Sequence, residues 1–307
     1  MIIDSYSQSL ILTGPTGCGK SQLALDAAER FDAEIVSMDS MALYRRMDIG
    51  TAKATPEDRR RVPHHLLDVL EPWESASVAW WLERAGECCH DITQRGKRPL
   101  FVGGTPLYLK ALLHGLFDGP PREETIRRRL SDEAAAIGGA ALHARLAAVD
   151  PVSAARLHVN DVRRVIRALE VWELTGRPIS DWQTQWTMSG HTPEDPRCLC
   201  LDLPRSELYA RIDARVERMI AGGLVEEVRA LRQLERPLSR EAAQALGYKE
   251  MFAFLDGRAN LTETIQHIQM RSRNFAKRQM TWFRHLPVCR VAGPELTFPL
   301  WVSTMKK

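Results

Sequence analysis

"GPTGCGKS", residues 14–21, follows the apolar run "SLILT" and leads into "QLALDAAERF", whose spacing reads as a helix. The pattern is G-x-x-x-x-G-K-[ST], a strand-to-helix turn whose backbone N–H groups cradle a chain of phosphates. Gly14, Pro15, Thr16, Gly17, Cys18, Gly19, Lys20 and Ser21 are therefore the expected seat of a diphosphate or longer polyphosphate. The glycines let the backbone curl, the helix that follows aims its positive end at the anion, and Lys20 adds a charge. The Ser21 hydroxyl is the expected support for a Mg²⁺ ion.

Working outward, further short apolar runs end in glycine or polar turns at "AEIVSMDS", "HHLLDV" and "RPLFVGGT", with helical patterns such as "SVAWWLERAGECCHDITQ" between them. Strands alternating with helices predict a parallel sheet with crossover helices. After "HGLFDGPPREE" the strand signals stop, and residues from about 122 to 190 read as helices. "CLCLDLP" then resumes strand character, and "PVCRVAG" is the expected last strand. The expected organisation is an α/β, P-loop NTPase-like parallel-sheet core interrupted by an all-helical subdomain. Residues 1–117 form the first part of the core, 118–197 the insertion, and 198–307 the continuation.

The 307 residues are 44% apolar, enough for a substantial core. Lys and Arg (42) against Asp and Glu (39) leave a net charge of only +3, so the overall balance does not announce a polyanionic partner. The start of the chain lacks the basic cluster and apolar length of a signal peptide, and no run approaches the roughly 18 apolar residues of a membrane span. A cytoplasmic protein without membrane contact is expected. The six cysteines, at 18, 88, 89, 198, 200 and 289, lack the spacing of a zinc or redox motif and read as reduced structural thiols.

A nucleotide hydrolase or kinase needs an acid after an apolar strand to hold its magnesium. Here "PLFVGGT" ends in Gly103, Gly104 and Thr105 instead. The acid follows the second strand, in "EIVSMDSMALY", which puts Asp39 at the carboxyl edge of the sheet, where ligands of open α/β sheets bind. Asp39 is then a base near the phosphates or a turn and cap acid. Asp68 in "LLDV" reads as a metal acid or a strand-end cap. "MDIGTAK", ending in Lys53, is a ligand loop or a surface turn. Thr105 either caps the helix after it or turns its hydroxyl toward a ligand.

Taken in order, "GPTGCGKS", "VSMDSMALYRRMDIGTAK", "PHHLLDV", "VGGTPLYLKALLHGL", "NDVRRVIRALEV", "LGYKE" and "AKRQMTWFRH" resemble the tRNA dimethylallyltransferases. These enzymes attach an isopentenyl group to the adenine beside the anticodon. The resemblance runs from about residue 10 to 285. The phosphate loop departs from the family's usual form, with Gly17-Cys18 in place of Ala-Ser and Ser21 in place of Thr. The chain also lacks the zinc finger of eukaryotic relatives. The resemblance implies that the loop holds the diphosphate of dimethylallyl diphosphate, with Arg167 of the insertion joining it. It implies that Asp39 is the general base and that Thr105 sits near the bridging oxygen. It places tRNA contacts on Asp39, Ser40, Met41, Ala42 and Thr105, and on Arg127, Arg163, Arg164, Val165, Ile166 and Arg167 of the insertion. Further contacts fall on Gln244, Gly247, Tyr248 and Lys249, and on Arg273, Lys277, Arg278, Gln279, Trp282 and Arg284. The partner would be the anticodon stem-loop, met by a monomer.

The residues themselves say something about an RNA surface. From Thr264 to Pro294 there is no acid, while Arg271, Arg273, Lys277, Arg278, Arg284 and Arg290 are basic. At about 100° per residue, Ile268, Phe275 and Trp282 form an apolar seam with Arg273, Lys277 and Arg284 opposite. That face meets phosphates or is simply solvated. The competing functions are transfer to free adenine nucleotides, a P-loop small-molecule kinase, and a non-catalytic RNA-binding protein. The first needs neither the insertion nor the acid-free helix, and the second needs an acid after Gly104. The third has no use for Asp39 and Thr105 beside the loop.

Overall fold

The computed structural model describes residues 6, 8–116, 119–183, 195–286 and 289–305. Six strands, β1 (Leu10–Thr13), β2 (Ala33–Ser37), β3 (His64–His65), β4 (Arg98–Val102), β5 (Asp195–Leu201) and β6 (Cys289–Ala292), make one sheet in the order β3-β2-β4-β1-β5-β6. Every neighbouring pair is parallel. The helices of the first segment are α1 (Lys20–Arg30), α2 (Pro56–Arg61), α3 (Val78–Gln94) and α4 (Pro106–His114). Next come α5 (Glu124–Ile137), α6 (Gly139–Val149), α7 (Pro151–Arg156), α8 (Val162–Thr175) and α9 (Ile179–Trp182). After β5 follow α10 (Arg205–Ala221), α11 (Leu224–Arg232), α12 (Arg240–Ala243), α13 (Tyr248–Leu255) and α14 (Leu261–Arg284), and α15 (Thr297–Met305) follows β6.

The strands are covered on both faces and so carry nearly unbroken apolar runs. Leu10, Leu12, Leu100, Leu199 and Leu201 pack with Ala24, Leu25, Ala27 and Ala28 of α1 in one core cluster. The helical segment has its own core, in which Leu130, Leu142, Leu146, Val165, Ala168 and Leu169 meet. The chain accordingly divides into two compact units, Met1–Leu113 with His191–Lys307, and His114–Gly190. The boundary expected at 117/118 lies outside the described residues, and that at 197/198 falls within β5, which begins at Asp195.

Two readings of the C-terminal part are corrected. The buried stripe of α14 is Thr264, Ile268, Ser272, Ala276, Gln279 and Phe283, while Phe275 of the expected seam is 37% exposed. Small side chains let this helix lie close to α10, and Gln279 is buried because both ends of its amide are hydrogen-bonded. Cys198 and Cys289, read as reduced thiols, form a disulfide between the adjacent strands β5 and β6. Ninety-one residues separate them in sequence, and nothing in that spacing announces that the strands pair.

Candidate active site

The strand order puts the ends of β1, β4 and β2 side by side, so the segments that follow these strands meet at one edge. Gly103 N–H donates to Leu12 O at 3.2 Å, Met38 N–H to Val102 O at 2.8 Å, and Thr105 N–H to Met38 O at 3.2 Å. These bonds carry the sheet ladder into the loops. Gly14 has φ +141°, and a β-carbon there would lie 2.7 Å from Leu201 O, so only glycine lets the phosphate loop begin this close to β5. Gly19, in the left-handed conformation, is the N-cap of α1 and has no side chain over the first amides. Lys20 folds back, its Nζ donating to Gly14 O at 2.9 Å and Pro15 O at 2.7 Å. Pro15 and Cys18 are buried, Thr16 and Gly17 half-buried, and Ser21 is exposed at the start of α1.

Asp39 and Thr105 come together across the edge. Asp39 Oδ1 accepts from Met41 N–H at 2.8 Å, so the turn role is real. Thr105 Oγ1 accepts from Ser40 N–H at 3.2 Å rather than capping α4. That leaves the hydroxyl hydrogen of Thr105 to be donated elsewhere. Ser40 and Met41 are half-buried, and Ala42 is buried.

Sequence reasoning missed Arg215 on α10. Its guanidinium donates to Thr16 Oγ1 at 3.1 Å and to Thr51 O at 3.3 Å, joining the phosphate loop to the "GTAK" turn. Burial pushes its pKa down while the charge of Asp39 pulls it up. A guanidinium stays charged under such a load. Nothing marks this arginine among the other cations of "RIDARVER", because its partners are backbone and hydroxyl groups distant in sequence. The turn it touches is itself clamped. Glu227 accepts from the amides of Asp48, Ile49 and Gly50 at 2.8–3.2 Å and from Tyr248 Oη at 2.6 Å. Lys53 is buried and donates to Tyr44 O, Asp48 and Asp68 at 2.6–2.7 Å. Asp68, bonded by Lys53 and Arg59, is thus neither a metal acid nor a cap. Burial works to raise its pKa, but the bonds from those two cations outweigh it and the net shift is downward.

The expected tRNA contacts divide by exposure. Gln244, Lys249, Lys277, Arg278 and Arg284 are exposed, and Trp282 is half-buried with Lys110 Nζ 5.8 Å from its ring centroid. Arg273 is bonded to Asp213 at 2.5 Å. Three expected contacts in the core do not present their side groups to a surface. Gly247 is buried, and Tyr248 is fully buried with its hydroxyl on Glu227. Gln279, 3% exposed, accepts from Thr16 N–H at 2.9 Å and donates to Gly104 O at 2.6 Å. All three are expected at the tRNA from the family resemblance and not from a helical pattern. In the helical unit, Arg163 and Arg164 are exposed, Ile166 is half-buried, and Val165 belongs to the core. Arg127 and Arg167 both bond Glu170, which is fully buried, and Arg167 also donates to Pro120 O at 2.8 Å.

Among the described residues, no three His, Cys, Asp or Glu side chains converge as a metal site. Magnesium typically keeps several waters and takes its other oxygens from substrate phosphates, so one hydroxyl such as that of Ser21 is a fitting protein donor.

Comparison with known proteins agrees with the geometry. The family model for IPP transferase matches residues 42–286. The chain is 50% identical over 283 residues to a tRNA dimethylallyltransferase of Geobacter metallireducens, covering 92% of this chain and 91% of that protein. It is 47% identical to the tRNA dimethylallyltransferase of Geobacillus thermodenitrificans, covering 91% and 88%. Among solved structures, the tRNA isopentenylpyrophosphate transferase of Bacillus halodurans is similar with a TM-score of 0.66 at 39% identity, over 94% of this chain and 90% of that one. A eukaryotic dimethylallyltransferase solved acting on tRNA gives a TM-score of 0.75 at 27% identity, over 93% and 73%.

Proposed function

The chain belongs to the IPP transferase family, the tRNA dimethylallyltransferases, and on that premise we propose that it moves the dimethylallyl group of dimethylallyl diphosphate onto N6 of the adenine 3′ to the anticodon of tRNA, releasing diphosphate. The observation that carries this reading is the meeting of a phosphate loop with Asp39 and Thr105 at one sheet edge, with no acid after Gly104. A kinase or hydrolase would need that acid to hold its metal.

The lone pair of adenine N6 is drawn into the ring, so attack on the allylic carbon gains from a carboxylate that takes the proton as the C–N bond forms. Asp39 fits that role, with Oδ1 fixed by the Met41 amide and Oδ2 left to accept the proton. As the C–O bond breaks, negative charge grows on the diphosphate. The amides of the loop meet that charge, and Lys20 exchanges its carbonyl partners for phosphate oxygens. Such contacts accelerate the step because they strengthen as the charge develops. Arg215, held between Thr16 and Thr51, adds a positive charge behind the loop. The Thr105 hydroxyl can donate to the bridging oxygen as it leaves. Ser21 would hold a Mg²⁺ ion, which would supply further positive charge to the leaving group. The same reading has the protein acting as a monomer in the cytoplasm, through the anticodon stem-loop. Among the described residues no helix is long and apolar enough to cross a membrane.

The test is incubation of the purified protein with labelled dimethylallyl diphosphate and either unmodified tRNA or AMP. Label is expected in the tRNA alone. Label in AMP, or in neither, would overturn the proposal.

A further inference from the structure

We propose that Gln279 is a positioning residue, which sets the spacing between the phosphate loop and the Asp39–Thr105 pair through the two ends of one carboxamide. Its Oε1 accepts from Thr16 N–H at 2.9 Å and its Nε2 donates to Gly104 O at 2.6 Å. The two partners fix the orientation of the amide, because the phosphate loop offers a donor and the segment after β4 offers an acceptor. Gly104 has no side chain in the way. A β-carbon there would lie 2.6 Å from Gln279 Nε2 and 3.1 Å from Gly14 O. Gly104 also immediately precedes Thr105, whose hydroxyl receives Ser40 N–H one residue from Asp39. One side chain therefore touches the leaving-group side and the base side of the reaction at once.

Gln279 belongs to α14, and the outer face of that helix carries Lys277, Arg278 and Arg284. The helix offered to RNA on one side reaches the reacting segments on the other. The inference rests on the proposed transfer reaction, since the spacing matters only if the loop holds the allylic diphosphate and Asp39 takes the proton. Misplacement of reacting groups by 1 Å can cost about 10²-fold in rate.

The discriminating variant is Gln279→Glu, which keeps the shape but sets an acceptor against Gly104 O. At pH 8 its kcat should fall by roughly 10- to 10²-fold with KM for tRNA within about twofold of the parent. As the pH is lowered toward 6, the ratio of variant to parent rates should rise, because burial favours the protonated carboxyl, whose O–H again donates to Gly104 O. Gln279→Met, an apolar side chain of similar length, removes both bonds at any pH. It should be slow throughout, and it keeps the test decisive if the Glu variant does not fold. Parent-like kcat in either folded variant would overturn the inference, as would a defect confined to KM for tRNA. A parent protein that transfers nothing from dimethylallyl diphosphate to tRNA would instead defeat the underlying reaction, so the two failures are distinguishable.

Discussion

The sheet edge and the helical unit hold their cations in opposite ways. At the edge, Lys20 leans on the carbonyls of Gly14 and Pro15, and Arg215 on Thr51 O and the Thr16 hydroxyl. In the helical unit, Arg127 and Arg167 are bonded to Glu170, and Arg129 and Arg145 share Glu133 and Glu173. A cation resting on neutral oxygens keeps its charge for an incoming anion. One bonded to a buried carboxylate is fixed in place, and much of its charge is already answered. The first arrangement suits the anion binding proposed for this edge, and the second holds its arginines in place.

The largest effect should come from breaking the second arrangement. Glu170→Ala leaves Arg127 and Arg167 without their common carboxylate, and denaturant titration should show a loss of about 3–5 kcal/mol. A loss below about 1 kcal/mol would mean that these arginines do not depend on it. The same carboxylate sets a pH dependence. Burial works to raise its pKa, but the bonds from Arg127 and Arg167 and the Glu123 amide prevail, so the folded value lies below the ordinary 4.5. Its contribution is therefore complete above that value and is lost as the pH falls through the folded one. Thermal melts between pH 7 and pH 3 should fall off at the acid end in the parent and less steeply in Glu170→Gln.

At the edge, substitutions should act on rate more than on stability. Asp39→Asn keeps an acceptor for the Met41 amide but cannot take a proton, so single-turnover transfer with both substrates saturating should slow by roughly 10²-fold or more at an unchanged melting temperature. A normal rate would end the general-base assignment. Lys20→Ala should raise the KM for dimethylallyl diphosphate by roughly 10- to 10²-fold, the scale of a lost charge-assisted hydrogen bond. Equal loss of melting temperature in Lys20→Ala and Glu170→Ala would erase the contrast between the two regions. The smallest effect sharpens it. Lys277→Ala should reduce the slope of log affinity for tRNA against log salt by about 0.7–0.9, whereas Arg273→Ala, already bonded to Asp213, should change it less.

Much of the fold was legible because its signals are local. The "GPTGCGKS" turn, the apolar runs of β1, β2, β4 and β5 and the Gly-Pro-Pro break each act over a few residues, and the parallel sheet follows from their alternation. Asp39 and Thr105 were legible as strand-end residues, and the structure adds the turn role of Asp39, which uses only one of its oxygens and so is compatible with the proposed base role. Tertiary pairings left no local trace. Gln279 is separated by 263 residues from Thr16 and by 175 from Gly104, and Arg215 by 199 from Thr16. A polar residue on a long basic helix reads as exposed until its distant partners are known. The apolar seam of α14 was misplaced for the same reason, because Ser272 and Gln279 occupy buried positions that a hydrophobic pattern cannot mark.

Gly103, at the tip of β4, gives this edge its narrowest tolerance. A single methyl group there would lie 2.3 Å from the backbone carbon and oxygen of Met38, the residue immediately before Asp39. Backbone cannot swing aside as a side-chain tip can, so Gly103→Ala would act as a wedge beneath Asp39. A mutational scan of residues that touch no substrate should find its most intolerant position there.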